Sequence, residues 1–255
     1  MRHSCSAFVC FGLLYFTASC SKENISAGDM PLVQRINGAV GDSTGSWEFF
    51  YDSTQRLQSV KFENNNRYKS DISIAGEGND TAIVTTLNRQ PWGTETVSAD
   101  TLVYNNGKVV KKLSRYFSTV YVYDALGRLI ADSSGSGPLR NDHTIAHDFS
   151  YDEHGNLILA HTYFTSAAVT ALSETMRASY NGNQNPYYKI GALDYILCNS
   201  NLSLSRHNRT TATYENPGNP LLRTDQYSYD YNTGFLIRMS VHSTGSNVIT
   251  SDFYY

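Results

Sequence analysis

The chain predicts an all-β fold, a single large antiparallel meander closed or rolled into a β-barrel, and three observations carry that prediction. Its 255 residues include 19 Tyr and 11 Phe against only 6 Pro, and aromatic and β-branched side chains suit a pleated, half-buried surface. Local runs alternate with period two. In "FSTVYVYD", Phe117, Thr119, Tyr121 and Tyr123 share one face while Ser118, Val120 and Val122 share the other. Finally, a short unit recurs near Tyr51, Tyr123, Tyr151 and Tyr229: Tyr-Asp, a few small or polar residues, Gly, then an aliphatic.

The first segment is not a strand. Arg2, an apolar run from Ala7 to Phe16 and the small residues Thr17, Ala18 and Ser19 make residues 1–19 a secretory signal, too short to span a bilayer permanently. Small residues directly before Cys20 resemble a bacterial lipobox, so Cys20 is the expected lipid attachment site. Residues 20–30 are polar and form a flexible tether, which leaves residues 31–255 for the barrel domain. Cys5 and Cys10 fall in the signal and Cys20 takes the lipid. Cys198 then has no disulfide partner, and an exported fold must rely on size. The 236 residues beyond the signal suffice for one large all-β domain or two small ones. They carry 19 basic and 23 acidic residues, a net charge of −4 with no basic block. That excludes nucleic acid as an electrostatic partner and leaves membrane contact to the lipid anchor.

Within the domain, "GDSTG" at 41–45 reads as a turn before Trp47, with no His and Asp arrangement for nucleophile chemistry. At Tyr51-Asp52 the tip carries Gln55 in the Gly place. The Tyr104 copy, "VYNNGKVV", uses Asn-Gly, the signal for a two-residue hairpin. In "VYVYDALGRLIAD", Tyr123 closes a strand and Asp124 can accept hydrogen bonds from the turn backbone. Gly127 supplies the positive φ of a three-residue loop with a bulge, and Leu129 and Ile130 open the return strand. The same reading makes Asp152 and Gly155, and Asp230 and Gly234, structural turn residues. Spacings of 19, 28 and 29 residues between Tyr104, Tyr123, Tyr151 and Tyr180 indicate a meander with variable loops, not a strict repeat. About 14 to 16 strands result, and closure would remove their edges. One interruption, "KIGALDYILCNS", places Ile190, Leu193, Ile196 and Leu197 at helical spacing. It predicts a short helical or irregular segment near 187–201 over a barrel opening, the alternative being one more buried strand with a loop. Cys198 there packs as a small hydrophobe.

The Tyr-Asp-x-x-Gly-Arg-Leu unit resembles the YD repeat of Rhs-type shells. Together with the lipobox, "WEFFYD", and "YNGNQNPYY" followed by "LCNSNLSLSRHN", it is similar to a Bacteroidetes lipoprotein family of unknown function with a porin-like fold. The resemblance covers about residues 31–255. It implies a fold and an envelope location at the outer membrane, with no activity attached. The Ser/Lys/acidic stretch after Cys20 also resembles the surface-export signal of some such lipoproteins.

Candidate chemistry is sparse. "DYNTG" at 230–234 shares the start of a calcium loop but lacks the distal Glu. If Asp152 pairs with Asn156, the register puts His147 opposite His161, yet two imidazoles fall short of the three or four ligands a metal site needs. No cofactor and no metal are predicted, and no catalytic residues. Tyr and Trp faces stack on sugars, which makes a polysaccharide the alternative partner, although the fixed place of most tyrosines in the hairpin unit points to packing. "YKSDISIAG", "SRHNRTTATY" and "VVKKLSRYF" carry charge near mid-strand, which opposes a lipid-spanning barrel. The expected function is a non-enzymatic binding or scaffolding lipoprotein, the alternatives being a surface glycan-binding protein and a hydrolase with its site in the barrel mouth.

Overall fold

The computed structural model describes residues 31–255 apart from 41–42, 65–67, 77–79, 137–142, 167–168, 190–194, 198–200, 233–234 and 245–247. The signal, the tether with Cys20, Cys198 and Gly234 therefore lie outside the described residues. Sixteen strands follow one another: β1 Arg35–Val40, β2 Ser43–Tyr51, β3 Leu57–Glu63, β4 Lys69–Ala75, β5 Thr81–Arg89, β6 Glu95–Asn105, β7 Lys108–Leu113 and β8 Phe117–Tyr123. The second half is β9 Leu129–Ser136, β10 His143–Tyr151, β11 Leu157–Ser166, β12 Val169–Gln184, β13 His207–Asn216, β14 Asn219–Asn232, β15 Phe235–Ser243 and β16 Ile249–Tyr254. Each pairs antiparallel with the next, and β1 closes on β16 through Arg35↔Tyr254, Ile36↔Phe253 and Asn37↔Asp252. The meander is a closed barrel, so no strand edge is left open.

The Tyr-Asp tips all fall at one end of the barrel, together with residue 31 and the C-terminal Tyr255. In three of them the Asp and the Gly or Gln act as the sequence suggests. Asp124 Oδ1 accepts from the Arg128 backbone N–H at 2.8 Å, and Asp152 Oδ1 from those of His154 and Asn156 at 3.0 and 2.8 Å. Gly127 and Gly155 have φ of 81° and 84°, and Gln55 occupies the same left-handed region at 65°. Asn106 and Gly107, at 50° and 73°, make the two-residue turn between β6 and β7.

The fourth copy differs. Asp230 lies inside β14, paired with Arg238, and the β14–β15 pairing runs two residues further, to Asn232↔Phe235. Asp230 is thus no turn residue, and Tyr231, not Tyr229, stands where Tyr123 and Tyr151 stand.

A bulge accompanies every tip at the same place. Tyr51↔Leu57 is followed by Phe50↔Ser59, Tyr123↔Leu129 by Val122↔Ala131, and Tyr151↔Leu157 by Ser150↔Leu159. Tyr104↔Val109 and Tyr231↔Leu236 behave alike. One residue of the return strand is skipped each time: Gln58, Val110, Ile130, Ile158 or Ile237. The aliphatic before it, Leu57, Val109, Leu129, Leu157 or Leu236, is buried inside the barrel. The repeat therefore encodes a turn, a bulge and one inward anchor, each anchor contributing about 1.5–3 kcal/mol by burial.

Two apolar clusters fill the barrel. One gathers Leu102, Tyr121, Leu129, Phe149, Leu157, Met176 and Tyr214; the other gathers Ile36, Trp47, Phe49, Val60, Phe62, Leu236 and Phe253. Between β12 and β13 the chain turns inward. Short 3₁₀ turns at Pro186–Lys189 and Asn201–Leu204 flank a helical turn at 195–197, in the place where the sequence predicts a short helical or irregular segment. Tyr187 enters the second cluster, edge-on to Phe253, while Tyr195, Ile196 and Leu204 enter the first. This connection is an internal plug at the tip end.

The outer face is mixed, with ion pairs set among exposed aliphatics such as Ile83, Val97, Val120, Val122 and Ile237. Asp71, Arg89 and Glu95 form a linked set of ion pairs, and Arg238 and Asp252 form another at 2.7 Å.

Candidate functional site

The plug is fastened by the Asn-rich stretch flanking it. Asn185 Nδ2 donates to the carbonyls of Leu202 (2.6 Å) and Ser205 (2.8 Å), while its Oδ1 accepts from Tyr187 N–H. Ser205 Oγ accepts from Leu157 N–H and donates to the Tyr180 hydroxyl, and Asn156 Oδ1 accepts from His207 N–H. Deeper in the barrel, Lys112 Nζ reaches the carbonyl of Ile196 at 3.1 Å.

A polar cluster meets the plug at its deep side. Asp132 on β9, only 5% exposed, lies beside His147 on β10, with Oδ1 2.8 Å from Nδ1. Tyr195 of the plug donates to Asp132 Oδ2 at 2.5 Å. Two donors satisfy the carboxylate, as a buried charge requires. Burial, followed by the neighbouring Asp132 charge, pushes the Tyr195 phenol far above its ordinary range. His147 Nδ1 is thereby oriented as in an acid–base pair, yet no described hydroxyl bonds to its Nε2. The cluster joins the plug to the barrel wall through Tyr195 and Asp132.

His161 is not part of it. The bulge at Ile158 shifts the register by one, so that His147 faces Thr162 and His161 faces Asp148. The two imidazoles point to opposite faces of the sheet, because a one-residue slip exchanges the faces of a strand. The expected juxtaposition is corrected accordingly. Among the described residues no three His, Cys, Asp or Glu converge as metal ligands.

A second buried group was missed in the sequence. Arg209 on β13 is 2% exposed, and its Nη1 donates to Asn201 Oδ1 of the plug at 3.1 Å. The rings of Tyr180 and Tyr227 flank the guanidinium at 6.0 and 5.8 Å. It lines an internal cavity of about 10 Å³ with Asn185, Ser205, Asn208 and Tyr229. Two larger grooves lie at the tip end: one of about 780 Å³ beside Phe50, Arg35 and Tyr254, and one of about 590 Å³ between His154, Asn181 and His207. The opposite end presents Trp92 (75% exposed), Tyr116 (63%) and Phe117 on the β5–β6 and β7–β8 turns.

These features define a closed sixteen-stranded antiparallel barrel with an internal plug. No family model matches the chain, and no curated protein matches it in sequence. Among solved structures it resembles a porin-like protein from Bacteroides uniformis, at 11% identity and a TM-score of 0.54, over 87% of this chain and 97% of that one. A porin-like protein from Bacteroides vulgatus also aligns, at 12% identity and a TM-score of 0.46, over 89% of this chain and 99% of that one. At such identity the likeness speaks for the fold, and the first of the two carries it.

Proposed function

We propose that the chain is a lipid-anchored, non-enzymatic binding or scaffolding module of the cell envelope, held at the outer membrane through Cys20, with its barrel standing in water as a rigid platform. The observation that supports this most is the paired charge carried on the barrel's outer strands, set among the exposed aliphatics Ile83, Val97, Val120 and Val122. Asp71, Arg89, Glu95, Arg238 and Asp252 all lie on the outer face. A spanning barrel turns an apolar band outward, and a charge on that band costs ~2–4 kcal/mol at the bilayer midplane. No described helix is long and apolar enough to cross a membrane, which bears on helices alone. The interior is taken up by the two clusters and the plug, which supports a platform over a pore or an enclosed active site. The described carboxylate–imidazole pair inside the barrel, Asp132 and His147, already has its second carboxylate oxygen bound by Tyr195. The test is planar-bilayer recording with the purified full chain. The proposal expects no unitary conductance, and reproducible channels would overturn it.

A glycan-binding reading has one observation in its favour. Trp92, Tyr116 and Phe117 are exposed at the end opposite residue 31, where the tether enters, and exposed aromatic faces stack on sugars. Affinity electrophoresis in polysaccharide gels checks it: retardation should be lost in Trp92→Ala, and equal mobility of the wild type with and without polysaccharide would remove this reading.

A further inference from the structure

Arg209 is a permanent cation deep inside the protein, with no counter-charge among the described residues. Its Nη1 bonds the neutral amide of Asn201, while Nε and Nη2 are fully buried and have no hydrogen-bond partner. Among the described residues no carboxylate forms an ion pair with it. Removing an unpaired guanidinium from water costs several kcal/mol, and the tyrosine rings on either side return only part of that. The cavity beside it is walled by the neutral side chains of Asn185, Ser205 and Asn208 as well as apolar Leu236 and Met239. Its volume of about 10 Å³ holds a single small species.

From the unpaired guanidinium and the cavity it lines, we infer that Arg209 binds one small monovalent anion of halide size at the junction of plug and barrel wall. The anion supplies the missing charge and accepts from Nε and Nη2. Sulfate, phosphate and organic carboxylates are too large for the space. Because Asn201 and Ser205 belong to the plug connection while Arg209, Tyr229 and Met239 belong to the wall, occupancy ties the two together. Anion binding thus favours the plugged state through the ordinary linkage between binding and folding.

The test compares thermal unfolding of the full chain in sodium chloride and in sodium gluconate, whose anion does not fit, at equal ionic strength. Chloride should raise the melting temperature saturably by about 2–4 °C, and Arg209→Met should melt at the same temperature in both salts. Should Arg209→Met not fold, wild-type crystals grown in bromide decide the matter, with an anomalous peak expected within hydrogen-bond reach of Arg209 Nε and Nη2. Salt-independent melting of the wild type, or a site without anomalous signal that holds only water, overturns the inference. Asp194, the one carboxylate of the plug sequence, lies outside the described residues. If Asp194→Asn lowers the melting temperature as far as Arg209→Met does, in both salts alike, an internal carboxylate is the counter-ion and the inference fails.

Discussion

The hydroxyl of Tyr151 donates to the backbone carbonyl of Leu129 at 2.7 Å. Leu129 opens the strand that returns from the preceding tip, just beyond the last β9–β10 pair, Ala131↔Asp148. The carbonyl thus lies past the end of its ladder, and the tyrosine of the next tip satisfies it. The same bond recurs around the barrel: Tyr51 to Val33, Tyr123 to Val109, Tyr180 to Leu157, Tyr229 to Arg209 and Tyr255 to Leu236. Why the chain keeps returning to tyrosine beside its turns has a mechanical answer, since these six tyrosines each weld one segment at the tip end to the one before it.

Tyr151→Phe keeps the ring and removes the weld. It leaves a partly buried carbonyl without its donor, so a loss of about 1–2 kcal/mol is expected. Urea denaturation followed by circular dichroism measures it, and an unchanged midpoint would assign the tyrosines to packing alone.

Gly155→Val forces a β-branched side chain to φ of 84°, a region such residues avoid. A cost of about 1–3 kcal/mol follows. Gln55, already left-handed, is the internal control: Gln55→Gly should be neutral or mildly stabilising in the same assay.

Most of this was legible in the sequence because each feature is local. Strand alternation, the Asp and Gly of the tips and the count of hairpins depend on residues a few positions apart. The misreadings have distinct physical origins. A bulge adds one residue to a strand without changing its composition, so nothing in "NLILAHTYF" announces that Ile158 is skipped and His161 turned outward. In "SYDYNTGF" two Tyr-Asp-like starts compete, and pairing of Tyr231 with Leu236 moves the turn past Asp230. The Asp132–His147–Tyr195 latch joins residues far apart in the chain, and the charge of Arg209 within "SRHNRTTATY" reads as surface until the plug covers it.

Acid should weaken the tips. Burial raises the Asp152 carboxyl, but the backbone N–H of Asn156, its side-chain amide and the His154 N–H outweigh this and hold it below the ordinary value; Asp124 behaves alike through Arg128. A depressed folded pKa means stability that is present above the unfolded value, near 4, and lost as pH falls through the folded one. Asp152→Asn should therefore be less stable than the wild type at pH 7, with the difference shrinking below about pH 4. A difference that stays constant from pH 7 to pH 3 would contradict the role given to this carboxylate.

Alkali should act through the welds. Burial raises the phenols of Tyr123, Tyr151, Tyr229 and Tyr255, and lifts that of Tyr214 to about 12. The unfolded chain ionises first, near pH 10, so stability falls as pH rises past that value. Absorbance at 295 nm should show a late tyrosine fraction that ionises together with the loss of β-sheet signal. Full titration of all tyrosines while the sheet persists would contradict their burial.

Tethering of a water-standing barrel is tested most directly by labelled palmitate and cell fractionation of the full chain beside Cys20→Ala. The wild type should carry label and sediment with membranes, whereas Cys20→Ala should be unlabelled, released to the soluble fraction and folded with the same melting temperature. Equal labelling of the two proteins, or a Cys20→Ala protein that stays embedded in membranes until detergent is added, would contradict it.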